Sequence, residues 1–142
     1  MNNNLENLYR AVIMDHYKNP RNKGLKGYPH IHLKNPSCGD DITIEAKIDN
    51  GIITEVRHEG KGCSICCSSA SVLTEVIKDK KVEEAKEIIT NYFKMMQGEE
   101  VDDDRLEEAL VYEGVSQFPA RIKCATISWK ALERLLNGES DE

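Results

Sequence analysis

The stretch "DITIEAKIDNGIITEVRHEGKG" (residues 41–62) decides the fold. Ile42, Ile44, Ala46 and Ile48 alternate with polar residues, the period-2 pattern of a strand with one buried face. "DNG" (49–51) supplies a tight turn, because Asn-Gly tolerates the positive φ that a two-residue hairpin needs. Beyond it Ile52, Thr54 and Val56 form one face of a return strand, and Ile53, Glu55 and Arg57 the other. "HIHLK" (30–34) offers a third strand.

On either side of the hairpin the apolar period changes to that of a helix. Leu5, Leu8/Tyr9, Val12/Ile13 and Tyr17 keep helical spacing until Pro20 and Gly24 break it. Ala70, Leu73, Val76 and Ile77 mark a helix over about 64–78. Val82, Ala85, Ile88/Ile89, Tyr92/Phe93 and Met96 mark another that ends near Gly98, with the Met95–Met96 pair as core or rim. Pro119 suits the first turn of a last helix, whose buried face is Ile127, Ala131/Leu132 and Leu135 and whose stop is Gly138. The order predicts an α+β fold: a small three-stranded antiparallel sheet with helices packed on one face. No repeat or linker divides residues 1–142, so a single domain is expected, with 138–142 as a disordered tail.

The formal charge of −6, from 19 basic and 25 acidic residues, argues against non-specific nucleic-acid binding, which needs a basic field. Much of the acid lies in "GEEVDDDRLEEALVYE" (98–113), where residues 99–108 read as a solvated face, with partner docking as the alternative. The N-terminus has no basic start followed by an apolar run, and nothing approaches the roughly 20 apolar residues of a membrane span. A cytoplasmic protein is therefore expected, and there five cysteines point to metal or thiol chemistry more than to disulfides.

Each cysteine falls at a junction. Cys38 lies in "NPSCGDD" (35–41), just before the first hairpin strand, and Cys63 follows its partner strand. Antiparallel pairing brings those two ends together. Cys66 and Cys67 occupy the first turn of the following helix, and Cys124 lies early in the last one. Three thiolates with the Asp40 carboxylate make a four-ligand set suited to Zn²⁺. Lys61, Arg121 and Lys123 flank it with positive charge, and Arg121 shares a helix face with Cys124. The residues alone leave the bland alternative open, in which Cys38 is a stray loop thiol. Cys66 and Cys67 read as small packing residues, or as spare thiols able to pair with Cys63. His16, His30, His32 and His58 read as surface or turn residues, with His58 the one alternative ligand.

Four ordered blocks, "MDHYKNPRNKG" (14–24), "NPSCGDDITI" (35–44), "GKGCSICCSSASVLTEVI" (60–77) and "ARIKCATISWKAL" (120–132), resemble the IscU/NifU-like family of iron–sulfur cluster assembly proteins. Lys123, where the IscU branch has histidine, and the acidic stretch 98–118 as an insertion are similar to the SufU-type branch. "FPARIK" (118–123) departs from the family's chaperone-binding Pro-Pro-Val-Lys stretch. The resemblance implies a zinc protein with sulfurtransferase-type carrier activity, its metal ligands being Cys38, Asp40, Cys63 and Cys124. It implies a pyridoxal-phosphate cysteine desulfurase of SufS type as sulfur donor, downstream iron–sulfur assembly proteins as recipients, and no nucleic-acid or membrane partner. On this reading Cys38 accepts the sulfur, Cys124 is the second choice and Arg121 supports. The alternative is a scaffold that assembles a [2Fe–2S] cluster on the same cysteines. A structural zinc site in an interaction module is a third possibility.

Overall fold

Residues 41–61 pair as a hairpin, but a register shift at Lys47/Ile48 interrupts the alternation: Ile48 is 41% exposed, and Ile53 and Val56, on opposite faces by simple alternation, are both buried. The computed structural model describes residues 3–141 and holds an antiparallel sheet of β1 (His30–Asn35), β2 (Asp40–Asp49) and β3 (Ile52–Lys61), in that spatial order. Asn50 and Gly51 both have positive φ, 51° and 77°, the geometry of a type I′ turn. The register sets Ile44 opposite both Ile31 and His58, and Ala46 opposite Val56. Ile31, Ile42, Ile44, Ala46, Ile53 and Val56 are all buried.

Four α-helices accompany the sheet: α1 (Asn3–Lys18), α2 (Ser64–Ile77), α3 (Val82–Met96) and α4 (Pro119–Leu136). Helices α2 and α4 lie directly on the strands. Four small residues of α2, Ser68, Ser69, Ala70 and Ser71, are fully buried and let its neighbours approach closely. The hydroxyls among them are satisfied. Ser69 Oγ donates to Ala125 O at 2.7 Å and accepts from Trp129 Nε1 at 2.9 Å. Trp129 stacks on Tyr92 with ring centroids 3.8 Å apart. Pro119 occupies the first turn of α4, and Gly138, with φ of 89°, follows its end. No described helix is long and apolar enough to cross a membrane.

Three expectations need correction. Residues 99–108 are not simply a solvated face. A 3-10 segment, Asp104–Gln117, places Leu106, Ala109 and Tyr112 in the core, and Tyr112 Oη donates to Ser68 Oγ at 2.6 Å. Its buried residues, Leu106, Ala109, Val111 and Tyr112, follow no single helical or strand period, because the backbone breaks at Glu107, whose φ of 48° and ψ of −125° are non-helical. The C-terminal residues are not without structure either. Asp141 N donates to His30 O at 2.8 Å and Asp141 Oδ2 accepts from His32 N at 2.7 Å, which covers the edge of β1; residue 142 lies outside the described residues.

The third correction concerns two histidines. His16 is fully buried: its Nδ1 lies 2.8 Å from Ser71 Oγ, which also accepts the Arg21 N–H at 2.8 Å, and its Nε2 donates to Glu108 at 3.1 Å. His58 is buried on the sheet's core face and Nε2 donates to Arg21 O at 2.8 Å, so that nitrogen is already committed. Burial pushes the His58 pKa down. A polar residue inside a folded core needs such partners, and these come from residues 37 to 92 positions away, beyond any local pattern.

Candidate functional site: a thiol–carboxylate cluster

The four-residue loop between β1 and β2 sets the first thiol. Asn35 O accepts from Cys38 N at 3.2 Å and from Gly39 N at 3.0 Å, and Gly39 takes a φ of 73° that closes the turn onto Asp40. Cys38 is exposed on this loop, and Asn35 Nδ2 donates to its Sγ at 3.0 Å. Asp40, the first residue of β2, is 1% exposed and shares its strand face with Ile42 and Ile44.

The hairpin register pairs Asp41 with Lys61 and so delivers Cys63 next to Asp40. Cys63 is the N-cap of α2, and its backbone N–H donates to Asp40 Oδ1 at 3.2 Å. Gly62 is required for this approach, since a Cβ there would lie 2.5 Å from Asp40 Oδ1. Cys124, in the second turn of α4, is buried and its Sγ lies 3.4 Å from Cys38 Sγ.

One donor atom each from Cys38, Asp40 and Cys124 lies within 4.8 Å of the others. Cys63 is not part of that compact group, but its N–H meets Asp40 and its thiol meets Cys124. Burial, followed by hydrogen bonds with Asp40, Cys38 and Cys63, pushes the Cys124 thiol well above its ordinary range. The second Asp40 oxygen, Oδ2, is buried without a hydrogen-bond partner. A carboxylate oxygen enclosed this way is costly unless a cation or proton meets it. Two sulfurs and a carboxylate converging there, with Cys63 adjacent, form a soft-to-intermediate donor set that one divalent ion fits.

The remaining candidates separate clearly. Arg121, Lys61 and Lys123 are exposed around the cluster, and among the described residues none forms an ion pair with Asp40. Cys66 is fully buried and packs in the core, while Cys67 is half-buried with Sγ 3.6 Å from Gly62 O. A hydrogen bond from Cys66 pulls the Cys67 pKa down to about 7, whereas the Cys66 thiol is driven far up. Asn35 and Gly62 take part in the cluster although sequence reasoning gave them no role. Their signal was proximity alone, as immediate neighbours of "PSC" and of Cys63.

Residues 8–125 match the model of the NifU-like N-terminal domain. The chain is 52% identical over 135 residues to the zinc-dependent sulfurtransferase SufU of Bacillus subtilis, covering 94% of this chain and 92% of that protein. It is 39% identical over 134 residues to the iron–sulfur cluster assembly scaffold protein IscU of Streptococcus pyogenes, covering 93% and 84%. Among solved structures, a protein assigned to iron–sulfur cluster assembly in the SUF system of Fervidobacterium islandicum superposes with a TM-score of 0.80 at 35% identity, covering 88% of this chain and 93% of that one.

Proposed function

The chain belongs to the NifU-like N-terminal domain family, and we propose that it acts as a zinc-dependent sulfur acceptor of iron–sulfur cluster assembly. It takes persulfide sulfur from a pyridoxal-phosphate cysteine desulfurase of SufS type in the cytoplasm and passes it to downstream assembly proteins. The observation that carries this reading is the buried Asp40 carboxylate, one oxygen of which lies within 4.8 Å of the sulfurs of Cys38 and Cys124 and one of which, Oδ2, has no hydrogen-bond partner. Zn²⁺ held by Cys38, Asp40, Cys63 and Cys124 would supply the positive charge that keeps these thiols deprotonated.

The chain's own residues do the rest. The Cys38 thiolate attacks the outer sulfur of the donor's persulfide. The donor's S–S bond breaks, a Cys38 S–S bond forms, and the donor cysteine leaves as thiolate, so no net oxidation or reduction occurs. Cys38 suits this role because its exposed loop turns on Gly39, whereas Cys124 is buried in a helix and is the second choice. Asn35 Nδ2 directs an N–H at the Cys38 sulfur and stabilises negative charge there. Arg121, exposed one turn before Cys124, adds positive charge for the incoming persulfide. Residues 1–142 act as one domain in which 98–118 is the branch-specific insertion.

A second reading, a scaffold for a [2Fe–2S] cluster, is favoured by the 3.4 Å approach of the Cys38 and Cys124 sulfurs and by the similarity to IscU scaffold proteins. Metal analysis of anaerobically purified protein, with its ultraviolet–visible spectrum, separates the two. Stoichiometric zinc in a colourless protein supports sulfur transfer, and a brown protein with charge-transfer bands overturns it in favour of the scaffold.

A further inference from the structure

An open groove of about 1080 Å³ runs between α1, the end of α3 and the 3-10 segment. Tyr9, Met95, Val101 and Phe118 give it apolar surface, and Phe118 is 60% exposed. Glu6, Glu99, Glu100, Asp102 and Glu113 line it with exposed carboxylates. No lysine or arginine is among its lining residues, and none of the five carboxylates forms an ion pair among the described residues.

Given the sulfur-acceptor role proposed above, we infer that this groove is where the sulfur donor docks a basic amphipathic segment. The chemistry of the lining selects the occupant. Five unneutralised carboxylates repel one another and repel an anionic lipid surface or nucleic acid, while lysines or arginines on one face of a peptide relieve them. The apolar side chains between them fit the opposite face of such a segment. Position selects the donor among basic partners. Phe118, which lines the groove, caps α4, and Cys124 lies six residues further along that helix, a rise of about 9 Å. A segment seated in the groove is therefore held within a short reach of the Cys38–Cys124 pair.

Binding of the cysteine desulfurase to the full chain, titrated at increasing KCl, tests the inference. Wild-type affinity should fall with salt. The variant Glu99→Lys/Glu100→Lys/Asp102→Lys should bind about tenfold more weakly at low salt, with a flattened salt dependence. All three positions are exposed, so a far-ultraviolet circular dichroism spectrum matching the wild type verifies the fold. Glu6→Lys, on the α1 wall, should act in the same direction independently of those three. Wild-type-like affinity and salt slope in both variants overturn the groove. A wild-type chain that takes up no labelled sulfur from the desulfurase overturns the sulfur-acceptor reading and the groove's donor with it, so the two failures are read separately.

Discussion

Cys63 donates its backbone N–H to Asp40 Oδ1 across 3.2 Å, closing the exit of β3 onto the entry of β2. The bond uses one lone pair of the carboxylate and holds the group with one oxygen within 4.8 Å of the Cys38 and Cys124 sulfurs, while Oδ2 stays buried without a hydrogen-bond partner. A hairpin end and a helix cap thereby aim one buried charge at two sulfurs.

Gly62→Ala should disturb the cluster without touching a thiol. The new Cβ would sit 2.5 Å from Asp40 Oδ1, on a buried side chain, and 3.3 Å from its Cα, which the strand holds. Overpacking of this kind costs about 1–3 kcal/mol. Urea unfolding should show that loss, and zinc affinity should fall in the same variant. Unchanged values for both would mean that Asp40 moves aside freely.

Cys38→Ala should abolish uptake of labelled sulfur from the desulfurase and leave the fold intact, because Cys38 is exposed. Normal uptake by this variant, with loss in Cys124→Ala, would transfer the acceptor role to Cys124. Radiolabel retained on the chain after gel filtration is the measurement.

Asp40→Asn should act in opposite directions with and without metal. In metal-free protein it replaces a buried charge that lacks one partner, so stability should stay within about 1 kcal/mol of the wild type or rise. With zinc it removes an anionic ligand, so the metal-dependent gain in melting temperature should shrink. Thermal unfolding with zinc and with chelator gives both numbers. An equal loss in the two conditions would make Asp40 a purely structural residue.

The sheet and its site were legible because their causes are local. Alternation over 42–46 and the Asn50–Gly51 turn indicate the hairpin, a one-residue shift at Lys47/Ile48 sets its final register, and that register brings residue 63 beside residue 40. Cys124 could be assigned to a helix but not to a place, because the docking of α4 depends on contacts such as Trp129 with Ser69, 60 residues apart. The 98–118 stretch misled for a different reason. Leu106, Ala109, Val111 and Tyr112 are buried on two short turns separated by a break at Glu107, so this sparse apolar set among acids shows no single period and resembles a solvated face. His16 and His58 have no local mark of burial, since their partners Ser71, Glu108 and Arg21 meet them only in the folded chain.

Asp103 supplies a stability contribution that pH should remove. Its carboxylate caps the 3-10 segment and accepts from Arg105 N, Nε and Nη2 at 3.0, 2.9 and 2.9 Å and from Asn91 Nδ2 at 2.8 Å. The Arg105 guanidinium is the main cause that lowers its pKa from 3.8 to about 2. A carboxylate whose folded pKa lies below the unfolded value stabilises the fold fully above the unfolded pKa, and that stability is lost as pH falls through the folded one. Wild-type stability should therefore lose about 1–2 kcal/mol from this group between about pH 5 and pH 2, solvent screening at the segment's edge setting the lower figure. Asp103→Asn should be less stable than the wild type at pH 7, and the gap should narrow toward pH 2.5. Urea unfolding of both proteins at the two pH values measures it. A gap of the same size at both would show that Asp103 acts through shape and neutral hydrogen bonds, with no part for its charge.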